Sequence, residues 1–336
     1  MKNILVTGGL GFIGSHTVVE LQKVGFRVVI IDNLSNSKIE VLEQIKFITN
    51  LKPSFYNIDI RNKEALKSFF DTEKVDGIIH FAALKSVSES VQKPKEYFEN
   101  NVNGLANLLA EIKNRNLNNL IFSSSCTVYG QADELPITEN AALKPAESTY
   151  GETKQMGEKI INESCVSNNL DAIALRYFNP IGAHESAEIG ELPLGVPQNL
   201  IPYVTQTAAG IREQLSVFGE DYPTKDGTAI RDYIHVVDLA KAHISALERL
   251  INKKNKSNFE VFNIGTGKGT SVLEIIQTFE KITNQKLNYK IVERRSGDVT
   301  SAYADTTLAF NELNWKTEKT LEEALKSAWN WQQKQL

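Results

Sequence analysis

Cysteine is scarce in this chain of 336 residues. Only Cys126 and Cys165 occur, and their spacing matches neither a metal-ligand motif nor a disulfide framework. Basic residues are not in excess either, because 37 lysines and arginines face 41 acidic residues, which gives a net charge of −4. Without an overall positive field we expect no nucleic-acid partner, and without a cluster of His, Cys and acidic residues we expect no metal.

Long apolar segments are also missing. No run approaches the roughly 18 residues that a membrane span needs. The first residues, MKNILVTGG, lack the apolar core and the cleavage site of a signal peptide. We therefore expect a cytoplasmic protein that has no membrane partner.

The chain does contain a regular alternation of short apolar runs with amphipathic stretches. Its length and its 41% of apolar residues suit about two domains. The strand-like runs are Asn3–Thr7, Arg27–Ile31, Ser54–Ile58, Gly77–Phe81, Asn119–Ser123 and Ala172–Phe178. Strands separated by helices in this way predict an α/β fold with a parallel sheet covered on both faces.

The second half is less regular. Residues 182–199, GAHESAEIGELPLGVPQN, predict a long irregular connection, and such loops in compact proteins are usually functional. We place a domain boundary near Asn179–Pro180. This predicts domains of residues 1–179 and 180–336, with an approximate boundary and with segments that can interleave.

A glycine-rich turn follows the first strand. TGGLGFIG has the spacing G-x-x-G-x-x-G at Gly8, Gly11 and Gly14, which permits a tight turn and close approach of the backbone to a pyrophosphate. Asp32 ends the second strand, where an acidic residue binds the adenosine ribose hydroxyls. Its carboxylate would repel a 2′-phosphate, so we predict NAD rather than NADP. The alternatives are an ordinary strand–helix turn and a capping aspartate.

The segment STYGETK predicts the start of a helix on which Tyr150 and Lys154 share one face. To act as a base near pH 7, Tyr150 must lose about three pKa units, or roughly 4 kcal/mol. One cation about 4 Å away supplies roughly that at an effective dielectric constant near 20. Lys154 and an oxidised nicotinamide would be two such cations. Ser125, in FSSSCTVYG, is our candidate for the hydroxyl that shares the substrate proton. We expect Ser123, Ser124, Cys126 and His80 to be structural.

The Tyr-x-x-x-Lys spacing and the glycines resemble the short-chain dehydrogenase/reductase superfamily. Longer segments resemble its UDP-glucose 4-epimerase family over essentially the whole chain. They are HFAALKSVSESVQKP (80–94), NNVNG (100–104), SSSCTVYG (123–130), LRYFNPIGAH (175–184), GEDYPTKDGTAIRDYIHVVDLA (219–240) and ERRSGDVTSAYAD (293–305).

This resemblance implies a Rossmann-type, doubly wound parallel sheet that binds NAD and a smaller C-terminal α/β domain that binds a UDP-hexose. Catalytic residues would be Tyr150, Lys154 and Ser125. Implied NAD contacts are Gly8, Gly11, Phe12, Ile13, Gly14, Asp32, Asn33, Asn36, Asp59, Ile60, Phe81, Ala82, Ala83, Lys85, Asn100, Ser125, Tyr150, Lys154 and Phe178. Implied substrate contacts are Lys85, Ser125, Tyr150, Asn179, Asn199, Leu200, Ser216, Phe218, Arg231, Arg295, Asp298 and Ala302.

Two arginines suit a diphosphate because guanidinium groups match phosphate oxygens bidentately. The alternatives are a solvated charge or an ion pair, which for Arg231 could involve Asp232. Asp298 could bind a ribose hydroxyl or orient Arg295. The family also pairs helices such as those predicted at Pro94–Arg115 and Thr149–Ser167 in a homodimer.

The implied activity is NAD-dependent 4-epimerisation of UDP-hexoses through a transient 4-keto sugar. A 4,6-dehydratase would need an acidic pair after a threonine, whereas this chain has Cys126-Thr127-Val128 after Ser125. A UDP-glucuronate 4-epimerase and a non-catalytic NAD-binding sensor are further alternatives. Ala302 aligns with the family's gate for the C2 substituent, and a small residue there implies that N-acetylated UDP-hexoses also fit. A shift of one residue would place Tyr303 at the gate instead.

Overall fold

A computed structural model describes residues 1–295 and 298–336; Ser296 and Gly297, inside the family-like segment 293–305, lie outside the described residues. The strands are β1 Asn3–Thr7, β2 Arg27–Asp32, β3 Ser54–Asn57, β4 Gly77–His80, β5 Asn119–Ser123, β6 Asp171–Tyr177, β7 Asn179–Ile181, β8 Leu215–Phe218, β9 Ile230–Arg231, β10 Tyr233–His235, β11 Phe259–Ile264, β12 Thr270–Ser271, β13 Tyr289–Val292 and β14 Ser301–Ala302.

The α-helices are α1 Phe12–Lys23, α2 Val41–Thr49, α3 Lys63–Thr72, α4 Val87–Gln92, α5 Pro94–Tyr97, α6 Gly104–Asn114, α7 Thr149–Asn168, α8 Leu200–Ala208, α9 Val236–Ile251, α10 Val272–Thr283, α11 Thr307–Leu313 and α12 Leu321–Lys334. A π-helix at Phe98–Asn103 joins α5 to α6, and a 3₁₀-helix covers Cys126–Tyr129. Within the described ranges, no helix combines the length and the apolar character needed to cross a membrane.

Seven parallel strands form the central sheet, in the order β11-β6-β5-β4-β1-β2-β3. Alternate side chains serve opposite faces: in β1, Ile4 and Val6 join one apolar cluster and Leu5 joins another. Helices α1, α2, α9 and α11 cover the first face, and α3, α6 and α7 cover the second. The predicted α/β fold with a parallel sheet covered on both faces is confirmed.

The six strands predicted from the sequence all form, and each observed end lies within one residue of its prediction. The sequence did not identify the seventh strand, β11, which pairs along its length with β6. The predicted helix at Pro94–Arg115 is interrupted by the π-helix, which is a common feature of functional sites.

The remaining strands form three small sheets, β10-β7, β12-β9-β14 and β13-β8. Helices α8, α10 and α12 enclose a third apolar core with β8, which includes Val217, Phe279 and Trp329. Helix α9 packs on the large sheet, and β11 is one of its strands. We therefore propose that the two predicted domains interleave there. The boundary at residue 179 stays a prediction.

The segment predicted to be an irregular connection, residues 182–199, runs from β7 to α8 without a helix or a ladder strand. Gly190 fixes it against α12: a Cβ atom on Gly190 would lie 2.5 Å from Cγ of Trp331. Trp331 also donates its indole N–H to the carbonyl oxygen of Glu191, at 3.1 Å. The segment is therefore anchored to α12 at its centre.

Candidate active site

The glycine-rich turn between β1 and α1 has the geometry that its sequence predicts. Gly8 has a φ of +71°, a left-handed conformation that favours glycine. A Cβ atom on Gly14 would lie 2.2 Å from the carbonyl oxygen of Gly8, so only glycine allows α1 to start this close to the strand. The N-cap of α1, Gly11, has no side chain to cap the helix. The N–H groups of the first turn are therefore available to an anion.

Asp32 lies at the end of β2, beside that turn. Its carboxylate accepts hydrogen bonds from Leu10 N (3.0 Å), Leu34 N (3.0 Å) and Ser37 Oγ (2.8 Å). These bonds fix the carboxylate at the edge of a cleft and leave a lone pair for a ribose hydroxyl. A buried negative charge here disfavours a 2′-phosphate, which agrees with the predicted preference for NAD over NADP.

The cleft that these residues border has a volume of about 1110 Å³. This is at the upper end of the size of ligand pockets, roughly 300–1,000 Å³. Most of the residues predicted to bind NAD line it, namely Gly8, Gly11, Phe12, Ile13, Gly14, Asp32, Asn33, Asn36, Ile60, Phe81, Ala82, Ala83, Lys85, Asn100, Tyr150 and Lys154. Asp59, Ser125 and Phe178 are not among the residues that line it.

Asp59 lies behind the cleft. Its carboxylate accepts a hydrogen bond from Asn33 Nδ2 at 3.0 Å and pairs with the Arg61 guanidinium at 2.6 Å. The Arg61 side chain holds the pKa of Asp59 down to about 2. In this arrangement Asp59 orients Asn33, which does line the cleft.

The opposite end of the cleft contains the tyrosine and the lysine. Ser148 caps α7 by accepting a hydrogen bond from Gly151 N at 3.2 Å, so the helix begins just before Tyr150. Lys154 Nζ donates to the carbonyl oxygen of Ser123 at 2.6 Å and lies 5.7 Å from the centre of the Tyr150 ring. Ser125 lies two residues after the end of β5, close enough to Tyr150 to lower the pKa of its phenol against the effect of burial. The structure thus brings together the three predicted catalytic residues.

Burial acts against the basic form of Tyr150. It raises the pKa of the phenol well above its ordinary value, and the nearby Ser125 side chain offsets only part of that effect. Burial also lowers the pKa of Lys154, to about 8, so the ammonium loses part of its charge as the pH rises through that value. Burial of the phenol and the partial loss of charge on Lys154 both act against ionisation of Tyr150, so we expect the oxidised nicotinamide to contribute as the second cation.

The residues predicted to bind the UDP group form a second cluster, between β8, β9 and the segment after β13. The Arg295 guanidinium stacks on the Phe218 ring at 4.6 Å, and Arg295 Nε donates to Asp298 at 3.1 Å. Arg231 lies 3.5 Å from the other oxygen of Asp298. Ser216 lies two residues before Phe218 on β8 and so shares its face. A planar aromatic ring beside two guanidinium groups suits a base attached to a diphosphate.

Arg231 and Arg295 both pair with Asp298, so the ion-pair alternative is observed for each arginine, although the partner of Arg231 is not Asp232. Its buried carboxylate instead accepts hydrogen bonds from Thr266 N (2.8 Å), Gly267 N (3.1 Å) and Ala304 N (3.2 Å). Asp232 thus ties the end of β11 to the strand that contains Ala302. The Arg231 guanidinium is free to face Asp298.

Four further predicted substrate residues lie in the cleft wall or beside the arginine cluster. Asn199 lines the cleft and donates to Glu191 at 2.7 Å, and Lys85 bonds the same oxygen at 3.0 Å. Leu200 begins α8 directly after Asn199. Asn179 N donates to the carbonyl oxygen of Asp232 at 2.9 Å, which places Asn179 beside the arginine strand β9.

Ala302 and Tyr303 lie on opposite sides of their strand. Ala302 pairs with Arg231 in the β14–β9 register and packs in a cluster with Tyr129 and Phe178. Tyr303 instead packs against Gly269, whose Cβ atom would lie 3.0 Å from Cδ1 of Tyr303. Of the two, Ala302 is the residue that faces Phe178.

Of the residues expected to be structural, His80, Ser123 and Ser124 are buried, and Cys126 is partly buried. His80 bonds Thr7 Oγ1 at 2.7 Å, and burial lowers its pKa to about 3, so the imidazole is neutral. Burial raises the pKa of Cys126 to about 12, which keeps its thiol protonated. In residues 1–295 and 298–336, no group of three His, Cys, Asp or Glu side chains is arranged to hold a metal ion.

Two residues of the cleft wall were not predicted from the sequence. Tyr177 lines the cleft with its hydroxyl 2.5 Å from Ser123 Oγ, although only the LRYFNP segment that contains it was noted. Glu191 joins Lys85 and Asn199 across more than 100 residues of sequence. Tyr177 could have been predicted as a cleft residue because it lies in a motif that resembles the family. No local sequence pattern predicts that Glu191 lines the cleft.

Comparison with known proteins places this site in a family. The family model described as GDP-mannose 4,6 dehydratase matches residues 5–328. A UDP-glucose 4-epimerase of Haemophilus influenzae is 49% identical over 98% of this chain and 97% of its own length. The chain belongs to the UDP-glucose 4-epimerase family. The family predicted from the sequence motifs is therefore confirmed.

Solved structures of epimerases have the same fold. A UDP-glucose-4-epimerase from Stenotrophomonas maltophila with bound NAD and formylated UDP-arabinopyranose has a TM-score of 0.96 and 45% identity, and the match covers 100% of this chain and 99% of that one. A UDP-glucose 4-epimerase from Bifidobacterium longum in complex with NAD⁺ and UDP has a TM-score of 0.95 and 44% identity, over 99% and 98% of the two chains.

Proposed function

We propose that this chain interconverts UDP-glucose and UDP-galactose by NAD-dependent epimerisation at C4. One observation carries the proposal: an apolar cluster links the catalytic segment to the arginine strand. Cys126, next to Ser125, packs in the cluster that contains Ala302, and Ala302 pairs with Arg231. A ligand that spans this distance would present its sugar to Tyr150 and its diphosphate to the arginines.

The cleft residues fit the dinucleotide. The uncapped start of α1 suits a pyrophosphate, and Asp32 suits the adenosine ribose at the outer edge. Tyr150 and Lys154 line the same cleft, so the nicotinamide end belongs beside them. NAD, when bound, accepts a hydride from C4 of the sugar and returns it.

The chain's own residues manage the proton and the substrate. Tyr150 removes the proton of the sugar 4-hydroxyl, while Ser125 hydrogen-bonds the same oxygen. The resulting 4-keto sugar turns over while Arg231 and Arg295 retain the diphosphate. Tyr150 then returns its proton as C4 regains hydride on the opposite face. No bond outside C4 and its oxygen changes, so no acidic pair of the dehydratase type is needed.

The proposed activity is tested by product analysis. Full-length protein with NAD is incubated with UDP-galactose or with UDP-glucose, and the sugar nucleotides are separated by chromatography. We expect both reactions to reach the same mixture of the two sugars. A 4-keto-6-deoxy product would instead identify a dehydratase, and unchanged substrate in both reactions would identify a non-catalytic NAD-binding protein.

We also propose that N-acetylated UDP-hexoses are substrates, because the residue that packs in the cluster with Phe178 is the small Ala302 rather than Tyr303. Ala302→Tyr should suppress turnover of UDP-N-acetylglucosamine by roughly 5- to 150-fold, which corresponds to an overpacking cost of about 1–3 kcal/mol. UDP-galactose turnover should change far less. The measurement is kcat/KM for both sugars.

Tyr303→Ala is the matched control for this test, since Tyr303 faces Gly269 rather than Phe178. Its ratio of the two kcat/KM values should equal that of the wild type. Wild-type protein that does not convert UDP-N-acetylglucosamine, or a Tyr303→Ala variant with broadened selectivity, would contradict the assignment of Ala302 as the gate.

A homodimer is a further proposal. Helix α7 exposes Met156 and Val166, and neighbouring α4 exposes Val87 and Val91, so this side of the chain leaves apolar surface uncovered. The cytoplasmic location, like the dimer, stays a prediction.

A further inference from the structure

A buried ion pair lies directly behind the catalytic residues. Glu158 on α7 accepts two hydrogen bonds from the Arg176 guanidinium on β6, at 2.9 and 2.6 Å. Both side chains are only 6% exposed. Burying two charges costs more than their attraction returns in many proteins, so a pair at this place calls for an explanation beyond stability.

Glu158 contacts both segments that supply catalytic groups. It lies one helical turn after Lys154, on the same face of α7. It also accepts a hydrogen bond from Ser124 Oγ at 2.5 Å. Ser124 stands between Ser123, whose carbonyl oxygen binds Lys154 Nζ, and the catalytic Ser125. One carboxylate thus joins the end of β5 to the helix that contains Tyr150 and Lys154.

The remaining groups around Lys154 give it little electrostatic support. Tyr150 on α7 and Tyr177 on β6 are neutral phenols, because burial raises their pKa values. His80 on β4 is a neutral imidazole. Glu158 is the neighbour whose charge raises the pKa of Lys154 against the effect of burial. Arg176 bonds the same carboxylate and is held in turn by Tyr129, at 3.0 Å, so the negative charge is fixed in place.

We propose that Glu158 is a positioning residue of the epimerase, which keeps Lys154 charged and holds Ser124 and Ser125 against α7, while Arg176 fixes the Glu158 carboxylate. This inference rests on the proposed function for its role in turnover. The effect on Lys154 itself can be measured without any substrate.

The first measurement is an NMR titration of the Lys154 side chain. Full-length protein with NAD and ¹³C-labelled lysine is titrated, and the Lys154 signal is identified by its loss in Lys154→Met. Glu158→Gln alone would leave a buried, unpaired guanidinium and could fail to fold. The double variant Glu158→Gln/Arg176→Met removes both charges and keeps a hydrogen-bond acceptor for Ser124. We expect its Lys154 pKa to fall by about one unit or more, the lower end of the effect of a nearby opposite charge.

The second measurement is the pH dependence of kcat with UDP-galactose. The decline in activity at alkaline pH should begin about one unit lower in the double variant than in the wild type. Ser124→Ala removes the hydrogen bond from Ser124 to Glu158 and leaves the ion pair between Glu158 and Arg176 intact. It should lower kcat several-fold, with little change in KM and no change in the pH profile.

The matched control is Arg249→Met/Glu260→Gln, a second buried pair with a 2.7 Å contact, away from the cleft. It should change thermal stability but neither the Lys154 titration nor the pH profile. An unchanged Lys154 titration in the Glu158→Gln/Arg176→Met variant would overturn the proposal. Absence of epimerase activity in the wild type would refute the proposed function. The NMR titration of Lys154 would still test the effect of Glu158, because it needs no substrate.

Discussion

Replacing Tyr150 with phenylalanine will lower turnover of UDP-galactose by about 10²–10⁴-fold or more, the typical contribution of a general base. The ring stays in its buried position, so folding and NAD binding should persist. Only the oxygen that exchanges a proton with the sugar is lost. The measurement is kcat of the purified variant, with circular dichroism and bound dinucleotide as checks that the fold and the cleft are intact.

Tyr177→Phe is the matched comparison, because Tyr177 is also a buried tyrosine on the cleft wall. Its hydroxyl bonds Ser123 rather than Ser125, so its removal should cost far less activity. If Tyr150→Phe kept about a third of wild-type turnover, or if Tyr177→Phe had the larger effect, Tyr150 would not be the base.

Replacing Lys154 with methionine will reduce turnover at pH 7 by up to about 10³-fold. A cation about 4 Å from a phenolate is worth roughly 4 kcal/mol at an effective dielectric constant near 20, which equals about three pKa units for Tyr150. Without that cation, Tyr150 ionises only at higher pH. The activity of the variant should therefore rise by about tenfold per pH unit over the range in which the phenol remains mostly protonated.

The wild type should behave differently over the same range. Its Lys154 has a pKa of about 8, so its support for the phenolate weakens as the pH rises through that value. The wild-type and Lys154→Met curves should thus converge at alkaline pH. Complete pH–rate profiles of both proteins test this, and a variant whose low activity does not depend on pH would show that Lys154 acts by contacts rather than by charge.

The cleft residues that could be predicted from the sequence belong to local motifs. The turn at Gly8–Gly14, the carboxylate of Asp32 and the Tyr150–Lys154 pair each depend on residues close together in the chain. Their geometry follows from the rules for one strand–helix turn or one helix face. The six strands could be predicted for the same reason, because each is a short apolar run between turn signals.

Contacts between segments that are distant in the sequence could not be predicted in this way. Strand β11 joins the large sheet by pairing with β6, about 90 residues earlier, and nothing in its own sequence names that partner. Glu191 and Glu158 act on residues that only the folded chain brings near. The high pKa of Tyr150 arises from burial, which the sequence argument did not include when it weighed the effect of two cations.

The path of the chain between the large sheet and the small sheets constrains their relative movement. After β6 the chain enters the small sheets at β7, returns to the large sheet through α9 and β11, and leaves again after Ile264. Three covalent connections therefore join the large sheet to the small sheets, and Asp232 links two of these connections by hydrogen bonds. Any movement of one part against the other has to bend all three connections together. We expect local displacement of a covering segment such as residues 182–199, which contacts α12 at Gly190, to admit the substrate more easily.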